Sequence, residues 1–193
     1  MDYNYFTIER LAELPYRELC ELFSNLDAPA FDEMDGEFIS RYPIAFERER
    51  QLWIEENRGG HWFGKCYRPQ PIGLCQGEGH NMYERKGNIA GRYLRFGWDI
   101  ANSPIDGKPS LIMRYNIFDR PAGPMSLTDE IRRVRRGLYV GFYYNDDMVN
   151  PPFNFGWDDE RGHTKPEFFF LSGPVGKWQG PDADSLKNET VRL

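Results

Sequence analysis

The sequence predicts an α+β, mainly β protein in which N-terminal helices precede an antiparallel β-barrel. Three observations predict it. Apolar residues recur at helical spacing only in the first third of the chain, and later they alternate in short runs separated by turn pairs such as Asp106-Gly107 and Arg136-Gly137. Two of the late strands are apolar at more positions than one buried face requires, as expected of a sheet curled around an interior. Helices first and strands after give the α+β order, and about seven or eight strands joined by hairpin-type turns are best satisfied by closure, which removes exposed edges. The 193 residues are read as a single domain: a helical segment 1–59 packed on the barrel, the barrel at 60–172, and a tail at 173–193.

Taken in order, Pro15 suits a first helical position, where its missing N–H costs nothing. Leu19, Leu22, Phe23 and Leu26 then form one apolar stripe, which Asn25, Asp27 and Pro29 close. A short turn follows and ends at Gly36. Glu37–Tyr42 reads as a short strand or an extended linker. Pro43 opens a helix over Ile44–Asn57, with Ala45, Phe46, Leu52 and Trp53 at helical spacing and Glu47, Arg48, Glu49 and Arg50 facing water. Gly59 and Gly60 stop it.

His61–Tyr67 is the first strong strand, anchored by Trp62, and a loop over 69–79 follows. Asn81–Arg85 and Asn88–Trp98 flank Lys86-Gly87 as a hairpin, with Leu94, Phe96 and Trp98 alternating against Tyr93 and Arg95. In Ser110–Phe118, Leu111, Met113, Tyr115 and Ile117 share one face. Leu127–Arg135 is a mixed strand. In Leu138–Tyr144 the sets Leu138, Val140, Phe142, Tyr144 and Tyr139, Gly141, Tyr143 are both apolar enough for burial, or one lines a cavity. The loop 145–165 is long enough to expect function or mobility, and its Phe153, Phe155 and Trp157 alternate like a short strand or form an aromatic lid. Glu167–Leu171 is a final buried strand.

Composition narrows the function. Apolar content of 40% and charged content of 28% describe a globular chain. A formal charge of −6 argues against a nucleic-acid binder, and the local run Arg132, Arg133, Arg135, Arg136 needs no partner as a solvated strand end. Cys20, Cys66 and Cys75 have no paired spacing, so neither a disulfide framework nor structural zinc is expected. The start of the chain lacks a secretory pattern and no long apolar run predicts a membrane span, which together fit a cytoplasmic protein.

Gly60-His61-Trp62 followed by Gly64-Lys65 resembles the opening of calycin-type barrels, in which such a Trp packs against an Arg from a late strand. The resemblance implies Arg132 or Arg133 as that partner. A longer series is similar in order to the bacterial GXWXG-type proteins of unknown function: Leu14-Pro15, Met34-Asp35-Gly36-Glu37-Phe38, Trp62-Phe63-Gly64-Lys65, Met113-Arg114-Tyr115-Asn116, Asp129-Glu130-Ile131-Arg132-Arg133-Val134 and Phe168-Phe169-Phe170-Leu171. The chain departs where Phe38 and Ser40 replace the Trp and second Gly of the first family motif, and where Asn116 replaces an Asp. The resemblance implies a lipocalin-like or fatty-acid-binding-like barrel and no particular activity.

The expected ligand-facing residues are Trp62, Lys65, Tyr93, Met113, Tyr115, Arg132, Tyr139 and Tyr143. Asp129, Tyr115 and His61 are the groups able to move a proton. Buried tyrosines combine apolar contact with one hydrogen bond, although core tyrosines with satisfied hydroxyls are the commoner case. Glu130 and Arg132 share a strand face; inside a barrel they can hold a ligand or act in acid–base chemistry, and at its rim they are an ordinary ion pair. Lys65 can point inward to a ligand acid or sit at a strand edge. His61, His80 and His163 are far apart, so no metal site is expected, and no cofactor motif is present.

The leading expectation is a carrier or sensor that holds a small hydrophobic or aromatic molecule in the barrel, without nucleic acid or membrane as partner and with a homodimer left open. Against it stand a cofactor-free isomerase, lyase or cyclase working by proton transfer, and an interaction module without a cavity. The cavity lining separates the three.

Overall fold

The structure, a computed structural model, describes residues 3–58, 60–85, 89–123, 125–145 and 167–192. It is mainly β. Two short helices, α1 (Ile8–Ala12) and α2 (Tyr16–Ser24), open the chain, with Thr7 and Pro15 at their N-caps. Strand β1 (Gly36–Arg41) and helix α3 (Ile44–Arg58) follow. Then come β2 (His61–Arg68), β3 (Gly77–Arg85), β4 (Ile89–Asn102), β5 (Pro109–Arg114), β6 (Phe118–Asp119), β7 (Leu127–Arg135), β8 (Leu138–Asn145) and β9 (Glu167–Gly176). Helix α4 (Ala183–Asn188) and β10 (Thr190–Val191) end it. Eight strands close an antiparallel barrel in the order β1-β2-β3-β4-β5-β7-β8-β9, and β9 returns to β1. A ribbon of β6 and β10 lies beside it.

Closure requires a correction of the expected boundary. The barrel begins at Gly36, so the stretch Glu37–Tyr42, read as a short strand or linker ahead of the barrel, belongs to it: β1 lends one edge to β2 and the other to β9. It also runs on to Gly176, beyond the expected end at 172. The turn residues Lys86-Gly87, the aromatics Phe153, Phe155 and Trp157, and His163 lie outside the described residues.

The late strands are apolar on both faces because each face meets a different core. Inward-facing Ile131, Tyr139, Phe169 and Leu171 join Phe38, Trp62, Tyr67, Phe96, Trp98, Leu111, Met113 and Tyr115 in the lumen. Outward-facing Val140, Phe142, Phe168 and Phe170 pack under α1 and α2, where the stripe Leu19, Leu22, Phe23 and Leu26 covers them. Phe23 sits edge-on to Phe142 with ring centroids 4.6 Å apart. The second apolar face is therefore explained by helices and needs no ligand.

The expected stripe on α3 is corrected as well. Phe46, Leu52 and Trp53 are about half exposed, and Ile54 is the buried anchor. The helix crosses the barrel mouth. It is held by Gln51, whose amide donates to the Trp62 carbonyl at 2.9 Å and accepts from the Trp62 N–H at 3.2 Å, and by an Arg50–Glu167 ion pair. At the opposite end Met34, Tyr139 and the Arg133–Glu33 pair close the lumen.

Candidate functional site

The lumen is solid at its closed end and hollow beneath α3. A chamber of about 400 Å³ lies there. Most of its wall is apolar or aromatic: Tyr42, Ile54, Trp62, Tyr83, Leu127 and Phe169 among others. One polar patch, made by Lys65, Asn81, Tyr115 and Asp129, interrupts that wall. A larger groove of about 780 Å³ runs between α1–α2 and the start of α3 on the outside, but it has no comparable buried polar group.

Three strands and the residue after β5 bring the patch together, and two irregularities aim it. On β2 a register shift between Trp62 and Gly64 breaks strict alternation, so Trp62 and Lys65 both face inward. Gly64 sits where a Cβ would come within 2.0 Å of the Phe38 carbonyl oxygen, so the close approach of β1 demands glycine. On β4 Leu94 adopts φ +56°, a left-handed backbone that is strained for a leucine. The shift there turns the Leu94 carbonyl toward Asn81, whose Nδ2 donates to it at 3.3 Å.

The contacts within the patch are dense. Lys65 Nζ lies 2.6 Å from Asp129 Oδ2 and donates to Asn81 Oδ1 at 2.8 Å and to the Tyr115 hydroxyl at 2.7 Å. The Tyr115 hydroxyl donates to Asp129 Oδ2 at 3.0 Å and accepts from Asn81 Nδ2 at 3.0 Å. Trp62 Nε1 donates to Asn81 Oδ1 at 3.0 Å. Asp129 Oδ1 is buried with no hydrogen-bond partner among the described residues, which leaves a free acceptor in the patch.

Burial dominates the electrostatics. It holds the Lys65 ammonium below the ordinary lysine value, with Asp129 pulling the other way. It raises the Tyr115 phenol well above its usual value, and the neighbouring carboxylate adds to the rise. Burial pushes Tyr143 up to about 12, so both phenols act as neutral donors or acceptors. Chemically the site offers an amine and a phenol, each in contact with both a carboxyl and an amide, at one side of the chamber.

The structure brings Trp62, Lys65, Tyr115, Tyr143 and Asp129 to the chamber wall. Other expected residues lie elsewhere. Arg132 faces out of the barrel: its guanidinium grips Asp106 at 2.5 and 2.7 Å, donates to the Phe23 carbonyl at 3.1 Å and lies over the Phe23 ring. Glu130 shares that outer face and accepts from Ser103 and Tyr144. Arg132 is thus the clamp between barrel and α2, not a ligand group. Nor is Arg132 or Arg133 the partner of Trp62, which packs on Tyr42 and Phe169 instead. His61 is half exposed beside Glu55 at the strand start, and its ring does not line the chamber. Met113 lies in the solid part of the lumen, where the Tyr67 hydroxyl contacts its sulfur. Tyr139 is at the closed end with Glu33, and Tyr93 stacks behind Tyr83.

Asn81 is the functional candidate the sequence reading missed. Gly77, Gly79, Asn81 and Tyr83 share one face of β3, and an amide on a face otherwise small or aromatic is the signal that marks it. Among the described residues no three His, Cys, Asp or Glu side chains lie together as a metal set.

Comparison with known proteins adds the fold alone. No protein-family profile and no curated protein sequence matches the chain. A crystal structure of a protein from Thermomonospora curvata resembles it with a TM-score of 0.56 at 17% sequence identity, over 89% of this chain and 98% of that one.

Proposed function

We propose that the protein is a carrier or sensor that binds a small hydrophobic or aromatic molecule in the chamber beneath α3. The observation that supports this reading most is one compact polar patch in a wall that is mostly aromatic and aliphatic. Such a lining orients one polar end of a ligand while the rest is sequestered from water. The resemblance of its short motifs to those of calycin-like barrels fits a barrel with room for a ligand inside. Cys20, Cys66 and Cys75 are buried thiols, which fits the reducing cytoplasm as the place of action.

The test is native mass spectrometry of the purified full chain for a retained metabolite, followed by titration with the neutral fluorophore N-phenyl-1-naphthylamine. Binding is expected to weaken in Tyr115→Phe and to vanish in Leu127→Trp, which fills the chamber. Equal binding in the parent chain and Leu127→Trp would refute the site. Proton-transfer catalysis is the second reading, favoured by the contact of Tyr115 with both Asp129 and Lys65. A co-purifying mixture of two isomers in place of one compound would select it.

A further inference from the structure

A lysine is an unusual choice for the wall of an apolar chamber. Its nitrogen here sits in a box of rings, with the centroids of Trp62, Phe96, Tyr115 and Phe169 at 5.5, 5.2, 5.4 and 5.4 Å. The side chain is 3% exposed and Asp129, equally buried, balances its charge. The patch therefore has no net charge with which to hold a ligand carboxylate or ammonium. It presents instead an amine with an acid and a phenol in hydrogen-bond reach, the set that condensation with a carbonyl group requires.

We propose that the chamber takes an uncharged, largely aromatic aldehyde or ketone and that Lys65 joins it as a reversible imine. This rests on the chamber being the ligand site. The ammonium first passes a proton across the 2.6 Å contact to Asp129. The freed lone pair on Nζ then forms a bond to the carbonyl carbon while the C=O π pair moves to oxygen. One proton moves from nitrogen to that oxygen through the Tyr115 hydroxyl, giving a neutral carbinolamine. Asp129 protonates the new hydroxyl, the C–O bond breaks, water leaves, and the nitrogen lone pair closes the C=N bond. The product is a protonated imine beside the restored Asp129 carboxylate, and no oxidant or reductant is consumed. Burial of Lys65, which disfavours its ammonium, assists the first step.

The experiment traps the imine. The full chain is incubated with 2-naphthaldehyde and sodium cyanoborohydride and then mapped by mass spectrometry. 2-Naphthylmethanol, which has the same body and no carbonyl, is titrated in parallel by tryptophan fluorescence. The alcohol is expected to bind. The peptide containing Lys65 is expected to gain the mass of the aldehyde less one oxygen, and prior saturation with the alcohol to suppress that adduct. Lys65→Arg keeps a cation for Asp129 but cannot form an imine, and is expected to lose the adduct. Should that variant fail to fold, suppression by the alcohol decides the matter on the native chain. Alcohol binding with Lys65 unmodified, or adducts at other lysines that the alcohol does not suppress, would overturn the imine and leave the chamber reading standing. Failure of both compounds to bind would overturn both.

Discussion

Breaking the Lys65–Asp129 pair on one side should cost far more than removing it whole. The two side chains are each 3% exposed and their charged atoms are 2.6 Å apart. At an effective dielectric of about 20, that separation is worth about 6 kcal/mol of attraction. Desolvating the two ions costs several kcal/mol each, so the intact pair contributes little net stability. Lys65→Met, however, leaves a buried carboxylate with only neutral partners, and Asp129→Asn leaves a buried ammonium. Each should lower the unfolding free energy by about 3–5 kcal/mol. The double variant should fall short of the summed losses by about 3 kcal/mol, since neither charge remains. Urea unfolding followed by tryptophan fluorescence measures all four chains, provided the slope with denaturant stays constant. Additivity of the two single losses to within about 0.5 kcal/mol would show that the groups do not sense each other, and the electrostatic description of the chamber would be refuted.

Further predictions concern the parts that hold the chamber in place. Burial alone would raise the Asp106 carboxyl, but hydrogen bonds from Arg132 and the Lys108 amide outweigh it and hold it below the ordinary carboxylate value. A carboxyl lowered in the fold contributes stability above its ordinary value and loses it as pH falls through its folded value. Asp106→Asn should therefore cost about 1.5–3 kcal/mol near neutrality and flatten the acid limb of stability against pH, a result that unchanged limbs would contradict. Gly64→Ala should lower the urea midpoint by the equivalent of about 3 kcal/mol, because the Phe38 carbonyl 2.0 Å from the new Cβ is backbone and cannot swing aside; a neutral substitution would refute the close approach of β1. Burial pushes the Cys66 thiol up to about 12 and the Cys75 thiol up to about 11. Ellman's reagent at about pH 8 should thus react slowly with the native chain and fully after urea unfolding, and a fast native reaction would contradict their burial.

How far the sequence alone reaches depends on whether pairing stays regular. β5 runs against its neighbours without a register shift, and strict alternation places Leu111 and Met113 on the inner face, with Tyr115 beyond them. On β2 the shift between Trp62 and Gly64 is a property of three strands meeting, invisible in a one-dimensional pattern. It is what puts both Trp62 and Lys65 inside. Arg132 fails as a ligand group for a different reason. When both faces of a strand are buried, the apolar pattern does not tell which face carries the charge, and here α2 covers the outer face and supplies Arg132 with the Phe23 carbonyl. The α3 stripe fails because a helix laid across a barrel mouth touches it along a narrow seam, so Ile54 is buried while Phe46 and Leu52 stay exposed. Asn81 escaped notice because its role is to knit together partners from β2, β4 and the residue after β5, and none of them is near it in sequence.

The central claim is that a small molecule occupies the hollow half of the lumen and leaves the solid half untouched. Indole N–H resonances report both halves at once. Trp62 Nε1 donates to Asn81 in the polar patch, while Trp98 Nε1 donates to the Glu78 carbonyl away from the chamber. With Trp62→Phe and Trp98→Phe used for assignment, titration of the chain with N-phenyl-1-naphthylamine should shift the Trp62 signal saturably and leave the Trp98 signal in place. A Trp98 shift with Trp62 unmoved, or no shift in either at saturating probe, would contradict the account.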